Sequence, residues 1–313
     1  MAVKNQKPGA PVNKQRRKTK TRETGSKESS SRVLNLADPR KRTITSGPIT
    51  LLTDFGTADY FVGAVKGAIL SVNPEALIVD ITHEIPAHDI ESAAFTLLAA
   101  CSSFPAGTIH VAVVDPGVGS SRRSLLIRTR EQLFVGPDNG IFSYVCDSSG
   151  KPAMTPEVFH LTNTKYFHQT VSPTFNGRDV FAPVAAALSA GVKPEELGTK
   201  TTDYIRLPSL GAQVSRNGEI TARVIHIDRF GNCVTNITPA ELPAEMIAAG
   251  AKLRINDSVV KSFRNFFAEE TVSRDMVFGI WGSAGFLEIA AANQSAAKHL
   301  NANRGDAVIV SSR

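Results

Sequence analysis

Three short apolar runs dominate the first part of the organised chain: ITLLTDFG from Ile49, LIVDIT over 77–82 and TIHVAVVD over 108–115. Between them, YFVGAVKGAILSV (60–72) and DIESAAFTLLAACSSF (89–104) carry apolar residues at helical spacing, the second with Asp89 near its start. Strands this apolar do not alternate with polar residues, so both of their faces must be covered, and the intervening helices supply the cover. The pattern predicts an α/β fold with a mainly parallel sheet flanked by helices. Ligands of such sheets gather at the carboxyl ends of the strands. Asp54 and Asp115 stand at two of those ends. SLLIRTR and QLFVGPDNG add strand-like pieces, and DVFAPVAAALSAG (179–191) adds a helix.

Near residue 205 the character changes. LPSLGAQVSRNG reads as a linker, and short strands separated by turns follow it: EITARVIHID, CVTNI, KLRIN, VFGIW, FLEIA and AVIVSS. One helix at most, in PAELPAEMIAAG, interrupts them. The expected organisation is a tail over 1–47, an α/β domain over 48–204, a linker over 205–217 and a smaller β-rich, barrel-like domain over 218–313.

A chain of 313 residues has room for about two domains. Its net charge of +6 is unevenly placed. Residues 1–42 hold 13 Lys and Arg against Glu23, Glu28 and Asp38, which leaves the remainder net acidic. The basic segment lacks apolar periodicity and is expected to be disordered. Contact with nucleic acid is its lesser reading, because no aromatic ring interleaves with the charges; a solvated leader is preferred. No apolar run approaches the ~20 residues that span a bilayer, and no secretory signal is present. Cys101, Cys146 and Cys233 are widely spaced. They fit a reduced, cytoplasmic compartment and form no metal pattern.

Several stretches could carry chemistry. LLTDFGTADYF sets Asp54 at a strand end and Asp59 five residues later. An aspartate so placed can accept two bonds from a ribose diol, or can simply form a turn. VVDPGVGSSRR lacks the Gly-Lys-Ser/Thr ending of a phosphate loop. In HEIPAHD the two histidines flank Pro86 and cannot share a helical face, so no metal site is expected. PTFNGRD places Asp179 at a helix start, where an N-cap paired with Arg178 is the plain reading. IDRFGNCVTN puts Asp228, Gly231 and Asn232 in a turn between strands, and an asparagine amide there suits the edge of adenine. WGSAGFLEIA sets Ser283 before a strand that contains Glu288, without the spacing of a nucleophile elbow.

In order, ITLLTDFGTADYFVGAVKGAI, VVDPGVGSSRR, GPDNGIFS, PTFNGRDVFAPVAAAL, IDRFGNCVTNI and GSAGFLEIA resemble the S-adenosyl-L-methionine hydroxide adenosyltransferase family, which is related to fluorinating and chlorinating enzymes. The resemblance spans roughly residues 49–312. It implies hydrolysis of S-adenosyl-L-methionine to adenosine and L-methionine, a homotrimer with each site between subunits, no cofactor and no metal. Asp54 matches the ribose-binding acid, and Asp59 and Asp228 match positions near the methionine part. Asn232 matches the amide that reads adenine, Phe267 a ring against the base and Ser283 a methionine-binding serine; Glu288 joins this substrate-binding set. His88 falls where the halogenating relatives place a tryptophan, and a surface histidine is an equal reading.

Asp115 and Arg122 match two members of the family's Asp-Arg-His set, which handles the attacking water. The third position holds Asn176, and an amide cannot shuttle a proton near neutral pH. Three functions therefore stand open: hydrolysis, halogenation by the same displacement, and non-catalytic binding of the same ligand. Asp115 argues against halogenation. At ~4 Å and an effective dielectric of ~20, its charge would repel a halide by roughly 4 kcal/mol.

Overall fold

Two sheets of contrasting construction form the scaffold. The computed structural model describes residues 47–147, 155–268 and 276–311. The basic segment, with its expected disorder, lies outside the described residues.

The first sheet is built from β1 (Ile49–Thr53), β2 (Ile78–Thr82), β3 (Ile109–Val113), β4 (Ser124–Arg128), β5 (Leu133–Pro137), β6 (Glu157–Leu161) and β7 (Gly198–Thr201). Their order is β2-β1-β3-β5-β4-β6-β7. The pairings from β2 to β5 are parallel, and β4, β6 and β7 continue antiparallel. The parallel half is the one that the apolar runs announce. The antiparallel half comes from direct returns of the chain, such as the short loop between β4 and β5, that no helix crosses.

Helices α1 (Phe61–Val72) and α2 (Ile90–Cys101) separate β1, β2 and β3. The chain leaves β1 towards β2 on one side and then crosses back to β3 on the other. The reversal places a crevice beyond the carboxyl ends of β1 and β3. Alternate side chains of β1 enter different cores: Ile49 and Leu51 pack with Val65 and Ile69 of α1, and Leu52 packs with Ala93 and Leu97 of α2. Asp89 caps α2, its carboxylate accepting the Ser92 N–H at 3.0 Å. Next come α3 (Ser143–Asp147), α4 (Ala182–Ser189) and α5 (Pro194–Leu197).

The helix expected over 179–191 starts differently. Its regular part begins at Ala182, and the Ala182 N–H bonds back to Gly177, five residues earlier. Such wide π-type turns are frequent at functional sites. Asp179 is therefore not an N-cap. It is wholly buried in the turn and accepts both arms of the Arg178 guanidinium, at 2.7 and 2.9 Å, and the Ser172 N–H at 2.8 Å. Burial alone would raise its carboxyl, but Arg178 and the Ser172 amide outweigh it and hold the group below the usual range. Together these bonds fix the segment that leads into Asn176.

The second sheet comprises β8 (Gln213–Val214), β9 (Ile220–Ile227), β10 (Cys233–Thr235), β11 (Lys252–Ile255), β12 (Ser258–Val260), β13 (Phe263–Arg264), β14 (Val277–Trp281), β15 (Leu287–Ala291) and β16 (Ala307–Ser311). It is antiparallel except where β13 meets β14. β12, at one edge, touches β14 near the other, so the sheet curls on itself. Among the described residues two short helices interrupt it rather than one: α6 (Ala244–Ala248) and α7 (Ala296–His299). The second is a single turn capped by Ser295, too short to leave a periodic signature.

Phe95 of α2 and Tyr144 of α3 share an apolar cluster with Ile225 and Val234 of the second sheet and with Phe286 just before β15. Arg304 pairs with Asp89, and Arg223 pairs with Glu91 at 2.8 Å. Among the described residues no helix is long and apolar enough to cross a membrane.

Candidate active site

β1 and β3 run side by side and each delivers an acid beyond its carboxyl end. Asp54 follows β1, with its carboxylate accepting the His88 backbone N–H at 2.9 Å. Behind it, Thr53 Oγ1 lies 2.9 Å from His83 Nδ1 and accepts the Phe55 N–H at 3.2 Å, which fixes the exit from the strand. Asp115 follows β3 and turns into the glycine-bearing loop. There the Val118 N–H bonds the Asp115 carbonyl at 3.2 Å.

Gly119 explains the loop's second glycine. Its φ is +79°, and a Cβ on it would lie 2.3 Å from the Pro173 carbonyl oxygen. Only a residue without a side chain lets the 173–176 segment close over the turn. That approach brings Thr174, Phe175 and Asn176 to the same cavity as Asp54, His88 and Asp115, a space of about 300 Å³. Phe55, Phe61 and Phe175 pack edge-on or tilted at 5.3–5.9 Å and form its apolar wall.

The two arginines after the turn have different duties. Arg122 Nη2 donates to Asp115 Oδ2 at 2.5 Å, both side chains being almost fully buried. Arg122 Nη1 also bonds the Arg123 carbonyl at 2.7 Å, and the guanidinium lies over the Phe181 ring at 5.5 Å. Arg123 turns away to Asp138 and Asp203. Burial pushes the Asp115 carboxyl above the usual range, Arg122 only partly offsets this, and the Asp54 charge adds to the rise. Asp115 Oδ1 is buried without a hydrogen-bond partner. A buried carboxylate oxygen left open is costly unless a water or ligand takes it. The Asn176 side chain makes no hydrogen bond among the described residues and lines the same space.

A second cavity, of about 870 Å³, opens in the curled sheet. Asp228, Asn232, Phe267, Ser283 and Glu288 all line it, and it shares no lining residue with the first. The Asp228 carboxylate is already engaged, since it accepts the N–H groups of Phe230 and Asn232 and the Asn232 side-chain amide. These bonds orient Asn232, and Oδ2, which accepts only one of them, keeps acceptor capacity at the cavity. The Asn232 oxygen is left to accept from a ligand. Gly231, at φ +86°, comes so close to Ser295 that a Cβ would overlap its hydroxyl. Glu288 reaches under Gly282, where no Cβ obstructs it. Burial first, then the Asp228 charge, raises its carboxyl.

Asp59 lines neither cavity and is exposed just before α1. Sequence reasoning did not single out the aromatic wall of the first cavity, nor Phe230, Trp281 and Gln294 in the second. Phe230 and Trp281 leave a signal in their exposure: large rings that stay out of a core suggest a contact surface. Among the described residues no group of three or more His, Cys, Asp or Glu side chains could hold a metal ion.

Residues 49–198 match the SAM hydroxide adenosyltransferase N-terminal domain, and residues 222–309 match the C-terminal domain of the same name. This chain belongs to the SAM hydroxide adenosyltransferase family. A relative from Methanocaldococcus jannaschii named (R)-S-adenosyl-L-methionine hydrolase is 37% identical over 272 residues, which is 83% of this chain and 94% of the relative. One of the same name from Thermus thermophilus is 33% identical, covering 82% of this chain and 97% of its own. A fluorinase from an Actinoplanes species is more distant, 27% identical over 66% of this chain and 77% of its own. A solved structure from Thermotoga maritima, described as an uncharacterized conserved protein, superposes with a TM-score of 0.76 at 33% identity. It covers 84% of this chain and 99% of its own.

Proposed function

We propose that this protein hydrolyses S-adenosyl-L-methionine to adenosine and L-methionine by attack of water on the ribose C5′. One observation carries the reading: the unpartnered, buried oxygen of Asp115, in a small cavity at the ends of β1 and β3 beside Asp54. That oxygen can accept a hydrogen bond from the attacking water and aim its lone pair at C5′. Arg122 keeps the carboxylate charged despite its burial. Asp54 holds the ribose hydroxyls. Asn176, which lines the same cavity as Asp115, orients the same water through its amide. The C5′–S bond breaks with its electron pair going to sulfur, so the cationic sulfonium leaves as a neutral thioether and needs no metal to carry away charge. The hydrolase relatives are named for the (R)-sulfonium epimer, which is therefore the proposed substrate.

Asn232, with Phe267 across the cavity, takes the adenine in this reading, and Ser283 and Glu288 take the amino-acid part. The two half-sites occupy separate cavities of one chain, and an exposed ring is found at each: Tyr60, 68% exposed, packs on Phe61 of the first cavity's wall and Phe230, 78% exposed, lines the second. A homotrimer that joins the Asp54–Asp115 half of one copy to the Asn232 half of the next completes the site and covers these rings.

Incubation of the purified protein with each sulfonium epimer, followed by chromatography, tests the assignment. Equal amounts of adenosine and methionine are expected, without added halide. Tight binding without adenosine release would replace hydrolysis by a sensing role. Appearance of a halodeoxyadenosine in chloride would favour the halogenase reading.

A further inference from the structure

Hydrolysis of a sulfonium by water produces a proton that must go somewhere. In the cavity at the ends of β1 and β3, Asn176 and Thr174 do not titrate near neutral pH. Asp115, 5% exposed and paired with Arg122, is placed to hold the water, and Asp54, 10% exposed, is committed to the His88 N–H, so neither carboxylate is as well placed as an exposed base to pass a proton on to solvent. One imidazole lines this cavity, that of His88.

Its placement is unusual. His88 has a left-handed backbone, at φ 68°, and the other non-glycine residues described with positive φ are all asparagines. A non-glycine residue at positive φ is uncommon, although histidine tolerates it better than most, and local bonds hold this one in place. The His88 N–H donates to Asp54, and the next turn is closed by the Asp89 N–H on the Pro86 carbonyl at 3.0 Å and the Ile90 N–H on the His88 carbonyl at 3.1 Å. The bond to Asp54 ties His88 directly to the ribose-binding acid. The ring remains 75% exposed, with Nδ1 4.0 Å from the Asp54 carboxylate.

We infer that His88 is the proton acceptor of this chain and supplies what the amide at position 176 cannot. The inference rests on the hydrolysis proposed above. The water oxygen bonds to C5′ as the C5′–S electron pair passes to sulfur. The water's proton passes to the His88 ring, directly or through one bridging water, and the exposed ring releases it to solvent. Asp115 and Arg122 aim the water, and His88 removes its proton.

The test compares single-turnover rate with the dissociation constant for the parent, His88→Asn and His88→Gly. Asparagine and glycine both tolerate a left-handed backbone and keep the N–H that Asp54 accepts. His88→Asn is expected to lose on the order of 10²-fold in rate, at an affinity close to the parent's. Added imidazole is expected to restore part of the rate of His88→Gly, an effect that a merely structural role would not produce. A parental rate in His88→Asn would overturn the proposal, as would a fall in rate matched by the fall in affinity, or a His88→Gly rate indifferent to imidazole. A parent that releases no adenosine would sink the hydrolysis itself and the role of His88 with it. An active parent with an equally active His88→Asn sinks the role of His88 alone.

Discussion

Asp228 holds Asn232 by the nitrogen of its amide, Oδ2 to Nδ2 at 2.8 Å, while the other carboxylate oxygen takes the Phe230 and Asn232 backbone N–H groups. The amide is thereby locked in one orientation, with its oxygen towards the cavity. Asp228→Asn exchanges one charged acceptor oxygen for a donor and frees the Asn232 amide to flip. The expected result is a loss of about 1.5–3 kcal/mol in ligand affinity, the worth of hydrogen bonds to a charged group. Trp281 is the chain's single tryptophan and lines this cavity, so its fluorescence reports binding directly. An unchanged dissociation constant would show that the orientation of Asn232 does not matter.

Asp115→Asn is expected to remove turnover while leaving affinity nearly unchanged, because the ligand is held mainly by other residues. The pH dependence follows from the same carboxyl. Burial, only partly offset by Arg122, raises its folded pKa, and the proposed mechanism uses its ionised form. As pH falls through that raised value, Asp115 takes up a proton, loses its charge and releases its hold on the water. In the His88→Asn variant, where no imidazole remains in the cavity, the acidic limb of the rate is therefore expected above the pH range of ordinary aspartates. A rate that holds steady down to the range of free carboxylates would remove Asp115 from the mechanism.

Gly119→Ala tests the loop that joins the two acidic strand ends to Asn176. The new methyl would sit 2.3 Å from the Pro173 carbonyl, on a backbone at φ +79°. A stability loss of roughly 1–3 kcal/mol is expected, together with a loss of turnover larger than instability explains. Thermal melts and single-turnover rates measured on the same preparation separate the two. Full activity in a stable variant would mean that the 173–176 segment can retreat without harm.

The parallel half of the first sheet was legible because buried strands separated by helices leave an unbroken apolar signature. The antiparallel half was not, since a strand reached by a short return carries no mark of its direction. Asp54 and Asp115 could be placed from strand ends alone. Phe55, Phe61 and Phe175 could not, because rings that come together from distant segments look like core residues until the backbone sets them side by side. Asp179 misled for a related reason. A buried acid in a wide turn and a capping acid have the same local sequence; the pairing with Arg178 is common to both readings, and the complete burial and the bond from Ser172 tell them apart. The bonds by which Asp228 orients Asn232 were not legible either, because a sequence does not show which lone pairs a carboxylate has already committed.

The two cavities share no lining residue, so damage to one leaves the other intact in the same chain. An Asp115→Asn chain still carries a sound Asn232 half, and an Asn232→Ala chain a sound Asp115 half. Each is expected to be inactive alone. In a cyclic assembly that pairs unlike halves of neighbouring copies, random mixing of the two would reunite sound halves at about a quarter of the junctions. Unfolding and refolding the two together should thus generate activity from two dead proteins, and mixing without exchange of chains should generate none. Two harmful alleles of such a protein would complement each other within one cell, behaviour that a site contained in a single chain does not allow.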